Sequence, residues 1–121
     1  MFRSLLLLSL MASPALAFQA RNGEMVSGDA QAIVVAPSAG QAAPQSWCAA
    51  GDFVIRGLGM PAGTPVYRIT PPPRRGGESV TFSLSPDGAS DRTGLIRLIG
   101  EGNSVSAGHA QSLCRFGRWR Y

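Results

Sequence analysis

Cys48 and His109 are the side chains best suited to nucleophilic chemistry, as a thiol and its general base. That chemistry needs a reduced thiolate within hydrogen-bond reach of the imidazole. One other cysteine exists, Cys114, and in an oxidising compartment it captures the first, so the pair reads as one disulfide. Two cysteines and one histidine do not complete a metal site, because a fourth ligand and a close C-x-x-C spacing are both missing. A Ser-His-Asp triad would have to use His109 as well, and no G-x-S-x-G elbow is present. The acids Glu24, Asp52, Glu78, Asp87, Asp91 and Glu101 are scattered, mostly in turns, and none form a pair suited to glycoside hydrolysis. Asp87 and Asp91 are expected to bond backbone amides in turns. Asp52 is expected to pair with Arg56, four residues on. Gly57-Leu58-Gly59-Met60-Pro61-Ala62 fits G-x-G-x-x-A, but no strand-then-helix context surrounds it and the chain is too short for a dinucleotide domain. No catalytic set and no cofactor are expected.

Arginine offers a different chemistry. All the basic residues are arginine, and the net charge of +4 permits attraction to anionic surfaces without demanding it. Arg74-Arg75 tip a Pro-rich loop, and Arg115, Arg118, Trp119, Arg120 and Tyr121 alternate cation with aromatic ring at the end of the chain. Such segments grip flat or anionic partners through charge and stacking. The competing reading packs Trp119 and Tyr121 on the core and leaves the arginines solvated. An exported chain meets an anionic envelope component or another protein before it meets nucleic acid.

The elements that must position these residues follow from periodicity. Over 46–58, Trp47, Ala50, Val54 and Leu58 fall on one helical stripe, with Ser46 as N-cap and Gly57 or Gly59 beyond the end. Ala49, Ala50 and Gly51 are small enough to let another element pack closely. Phe53-Val54-Ile55 favours a strand, so a strand over 52–56 is the alternative. Tyr67 and Ile69 share one face of an extended 64–70 segment. Pro71-Pro72-Pro73-Arg74-Arg75-Gly76-Gly77 is a loop. Val80, Phe82 and Leu84 alternate with hydroxyl residues in the clearest strand, and Leu95–Ile99 supplies a third. Ser104–Phe116 reads as a second helix, with Val105, His109, Leu113 and Phe116 on its packed side. The fold class is therefore α+β, a three-stranded antiparallel meander with two helices stapled by Cys48–Cys114. A small all-β barrel is the alternative if 52–56 is a strand.

Residues 1–17 have the pattern of a secretory signal peptide: Arg3, an apolar run from Leu5 to Met11, and Ala15-Leu16-Ala17 as cleavage site. The run is shorter than the roughly 20 residues of a membrane span, so no transmembrane segment is expected in the mature chain. Cleavage near Ala17 predicts a periplasmic or extracellular protein. Residues 18–45 read as a low-complexity N-terminal arm with one short edge strand over 30–35, and 46–121 as a single small globular domain.

Trp47-Cys48-Ala49-Ala50-Gly51-Asp52-Phe53, together with Tyr67, Phe82-Ser83-Leu84 and the late Cys114, resembles small exported, uncharacterised proteins of alphaproteobacteria. The resemblance covers about residues 46–116 and implies a domain boundary and a disulfide, with no catalytic or binding residue. The expected role is binding or structural rather than catalytic. The alternatives are a small cell-envelope hydrolase using His109 and an anionic-surface binder working through the arginine-aromatic segments.

Overall fold

Short stretches of β-branched and aromatic residues, alternating with small polar ones, build most of the sheet. In a computed structural model, which describes residues 17–96 and 102–115, six strands pair antiparallel. They are β1 (Phe18–Gln19), β2 (Met25–Gly28), β3 (Ile33–Val35), β4 (Pro65–Arg68), β5 (Val80–Ser83) and β6 (Ser104–Ser106). Their spatial order is β1-β2-β3-β5-β4-β6. Two helices complete the α+β fold: α1 (Ala43–Asp52), which runs into a π-helical turn over Phe53–Gly57, and α2 (Ala107–Ser112).

The expected three-stranded meander is an undercount. Half of the sheet comes from residues 18–35, where one edge strand was expected. Val26, Ile33 and Val35 there are fully buried, and β3 lies inside the sheet, pairing Ile33 with Phe82 and Val35 with Val80. Strands of two to four residues carry too few alternations to rise above their Ala, Gly and Gln background. Asp29 shapes the hairpin between β2 and β3, its Oδ1 accepting from the Gln31 and Ala32 amides.

Ser104–Ser106 is likewise a strand, not the first turn of a helix. Val105 points inward opposite Val66 of β4, and Ser106 then caps α2 by accepting from the His109 amide. The shift in helix start rotates the stripe. Ala107 and Ala110 are the buried face, and His109 is exposed rather than packed. The strand expected over Leu95–Ile99 lies mostly outside the described residues, and Leu95 and Ile96 are not in a strand.

The helix expected over 46–58 is present, and with it the all-β alternative falls. It begins three residues earlier than expected. Pro44 lies in the first turn, where its missing N–H costs nothing, and Gln45 Oε1 accepts from the Ala42 amide, so Ser46 is not the cap. Past Asp52 the bonding widens, with the Leu58 amide donating to Phe53 O, five residues back. Gly59 then stops the helix in the left-handed region at φ +69°.

Trp47, Ala50 and Val54 of the predicted stripe are fully buried. The Trp47 ring meets Phe82 of β5 edge-on, with centroids 4.7 Å apart, so α1 covers the sheet. α2 lies against α1 at Gly51. A Cβ on that residue would sit 2.7 Å from Ala107 O, Ala110 Cβ and the Gln111 amide nitrogen alike. Cys48 of α1 is bonded to Cys114 beyond α2, with Cα atoms 4.9 Å apart.

Candidate functional site

Trp47 brings the site together. Burying its indole requires an acceptor for Nε1–H, and the Thr93 carbonyl supplies it at 2.9 Å. That bond draws the 86–95 loop over the start of α1. Further along the loop, the Ser90 amide donates to Arg68 O at 2.8 Å, fastening it to the end of β4. Between this loop, the first turn of α1 and the Pro-rich loop lies a cleft of about 750 Å³.

Arg68 forms part of its wall. The sequence put Tyr67 and Ile69 together on one face of this extended segment. The structure buries the opposite face, Val66 and Arg68, and leaves Tyr67 and Ile69 half-buried. The Arg68 side chain enters the core with 2 % of its surface exposed. Its Nε donates to Thr70 O at 2.7 Å and its Nη1 to Thr93 O at 3.3 Å. Among the described residues no carboxylate lies within 4 Å of the guanidinium, the ion pairs found there being those of Asp52. Burial pushes the Arg68 guanidinium below its ordinary value, and the more distant Glu78 carboxylate pulls against that shift. Arginine nevertheless stays protonated, so the cleft carries a desolvated positive charge.

Gly94 makes the close approach possible. It adopts φ +80°, and a Cβ there would stand 3.0 Å from Arg68 Nη1 and 3.2 Å from both Ala43 Cβ and Pro72 Cβ. Arg92 and Arg74 add charge at the rim. Arg92 Nη2 donates to Pro72 O at 2.9 Å, and Arg74 Nη1 to Glu78 O at 3.1 Å. Among the described residues lining the cleft, three arginines face one acid, Asp91, and the first turn of α1 presents Ala42, Ala43 and Ser46 with no acidic residue in it. The positive end of the helix adds to the field of the guanidinium groups.

Asp52 forms a second polar cluster and is fully buried. The expected Arg56 pair is present, with Nε to Oδ1 at 2.9 Å. The carboxylate also accepts from the Arg21 amide at 2.9 Å and from Gln111 Nε2 at 3.1 Å. The Arg21 guanidinium is 3.6 Å away. Asp52 therefore ties the segment after β1 and helix α2 to α1, two links that the sequence, which showed only the Arg56 pair, did not reveal. It is not among the residues that line the cleft.

The other candidates separate. Arg74 reaches the cleft, while Arg75 is exposed beside it, its amide bonded to Glu78 Oε2 at 3.1 Å. Arg115 is exposed after Cys114, and Arg118, Trp119, Arg120 and Tyr121 lie outside the described residues, as does the leader up to Leu16. His109 is exposed, is not part of the cleft, and its imidazole makes no hydrogen bond among the described residues. Among the described residues no three of His, Cys, Asp and Glu are placed to hold a metal ion, and no helix is long and apolar enough to cross a membrane. Sequence reasoning missed Arg68, Arg92 and Thr93. A signal for Arg68 existed in the Val66-x-Arg68 spacing, which places both residues on one strand face. No family model, curated protein or solved structure matches this chain.

Proposed function

We propose that this chain is an exported, disulfide-stapled binding module that holds a small anionic ligand in the Arg68 cleft. Export rests on the leader at Met1–Ala17 and on the single disulfide, and places the domain in the periplasm or outside the cell. The resemblance to small exported proteins of alphaproteobacteria belongs to the same reading. The ligand is an anionic envelope component or an anionic part of another protein.

One observation carries the binding role: a buried guanidinium opens on a cleft with no carboxylate within 4 Å among the described residues. A purely structural Arg68 would cross-link the Thr70 and Thr93 carbonyls and nothing more. Among the described residues, two neutral carbonyls and the more distant Glu78 carboxylate leave the buried charge only partly compensated, and a neutral side chain would meet the same packing need at lower cost. An anion supplies the missing charge. The lining also lacks the histidine on which the hydrolase reading depends.

Titration of the mature protein with acetate, citrate and inorganic phosphate, followed by amide NMR, tests the reading. Saturable shifts centred on Ser46, Thr93 and Gly94, weakened several-fold by Arg92→Gln, are expected. Shifts confined to Arg75 and Arg115, falling away with added salt, would replace the cleft with a diffuse surface interaction.

A further inference from the structure

We infer that the ligand of this cleft is a carboxylate carried on an apolar body of several carbons, an inference that rests on the binding function proposed above. The head group follows from Arg68. A guanidinium has five N–H donors in a planar fork, and two of them are engaged by Thr70 O and Thr93 O. The remaining donors suit a planar acceptor that takes two parallel bonds, which is the geometry of a carboxylate. The rim arginines are already turned toward backbone carbonyls, Arg92 to Pro72 O and Arg74 to Glu78 O. They contribute field more than additional fork contacts, so the site favours a single compact charge over a multiply charged group. Asp91 at the same rim further disfavours a dianion.

The body follows from the size and lining of the cleft. About 750 Å³ is far more than a bare carboxylate or phosphate fills, and lies in the range of organic-ligand pockets. Ala43, Pro72, Pro73, Val80 and Leu95 offer aliphatic surface beside the charge. Among the described residues the lining contains no aromatic ring to stack on a base or a flat heterocycle. A charged end on Arg68 and a hydrocarbon body along this wall satisfy both halves of the site. The same chemistry is found in a short fatty acid and in the free C-terminus of an apolar peptide.

Isothermal titration of the oxidised mature protein with octanoate, octanamide, acetate, inorganic phosphate and N-acetyl-leucyl-leucine tests the inference. Octanoate is expected to bind at least about tenfold more tightly than acetate, from burial of its methylenes. It should also exceed octanamide by about tenfold, from the loss of a charge-assisted pair. The peptide probe separates the two sources, since either one exceeding the other supports the carboxylate and names its carrier. Arg68→Lys keeps the charge and removes the fork, and is expected to cut octanoate affinity about tenfold. Should that variant fail to fold, Arg92→Gln on the exposed rim is expected to weaken octanoate several-fold and leave octanamide unchanged. Octanamide binding as tightly as octanoate, or phosphate and acetate matching octanoate, overturns the ligand class, the second result leaving the anion-binding function standing. No saturable binding by any anion overturns both.

Discussion

Gly51→Ala sets two effects of opposite sign against each other, and the structure decides between them. In a free helix the alanine would gain about 1 kcal/mol over glycine. Here the new Cβ would stand 2.7 Å from Ala107 O, Ala110 Cβ and the Gln111 nitrogen, roughly 1 Å short of ordinary contact. Two of those three atoms are backbone, so no rotamer change clears them. α2 is also poorly free to retreat. The disulfide holds one end, the Ala107 and Gly108 amides donate to Thr64 O and Ala62 O at the other, and Gln111 bonds to Asp52. Overpacking of this kind costs about 1–3 kcal/mol, and straining the bond to a buried carboxylate adds to it. The net expectation is a loss of about 2 kcal/mol, or a melting temperature lower by about 8–16 °C for a domain of this size. Urea unfolding of the oxidised protein measures it. Gly63→Ala, with no neighbouring atom within 4 Å, is the control and should stay within about 0.5 kcal/mol of the parent. A Gly51→Ala protein as stable as the parent, or more so, would refute the tight helix contact.

Two further perturbations test the framework. Asp52→Ala removes the acceptor of the Arg21 amide, Arg56 Nε and Gln111 Nε2. Both arginine side chains are about half exposed and return to water, so the loss comes chiefly from the amide groups, about 2–3 kcal/mol by urea unfolding. A loss below about 0.5 kcal/mol would show that water replaces these bonds freely. Replacing Cys48 and Cys114 together by serine opens a loop of sequence separation 66 and should cost about 4 kcal/mol in the chain-entropy account. For a domain stable by about 5–15 kcal/mol that is a large share, and an unchanged urea midpoint would count against the staple.

Covalent and local features were legible in the sequence because they depend on residue type and short spacing. Two cysteines could pair in one way, and Cys48–Cys114 is the bond found. The stripe Trp47, Ala50, Val54 needed only a period of 3.6 residues, and Asp52 and Arg56 needed only one helical turn. The small residues at 49–51 announced a close neighbour without naming it. The strands of residues 18–35 were not legible, because two to four residues become a strand only when a partner supplies the other half of the ladder. Ser104–Ser106 was likewise decided by β4, whose register pairs Val66 with Val105 and delays the helix to Ala107. The same delay turned His109 out to solvent.

The cleft lies at the far end of that scale. Arg68 lies more than twenty residues before the adjacent Arg92 and Thr93, and no spacing links any of them to Trp47. Sequence alone determined that the chain has one disulfide's worth of cysteines, an α1 stripe led by Trp47, and arginine as its only cationic side chain. Tertiary structure decided which of the described arginines is buried. Pairing of β4 inside the sheet turns Arg68 into the core, and the indole's need for an acceptor brings the Thr93 carbonyl across to meet it. Burial, which exists only in the folded chain, is what makes that guanidinium different from those of the other described arginines.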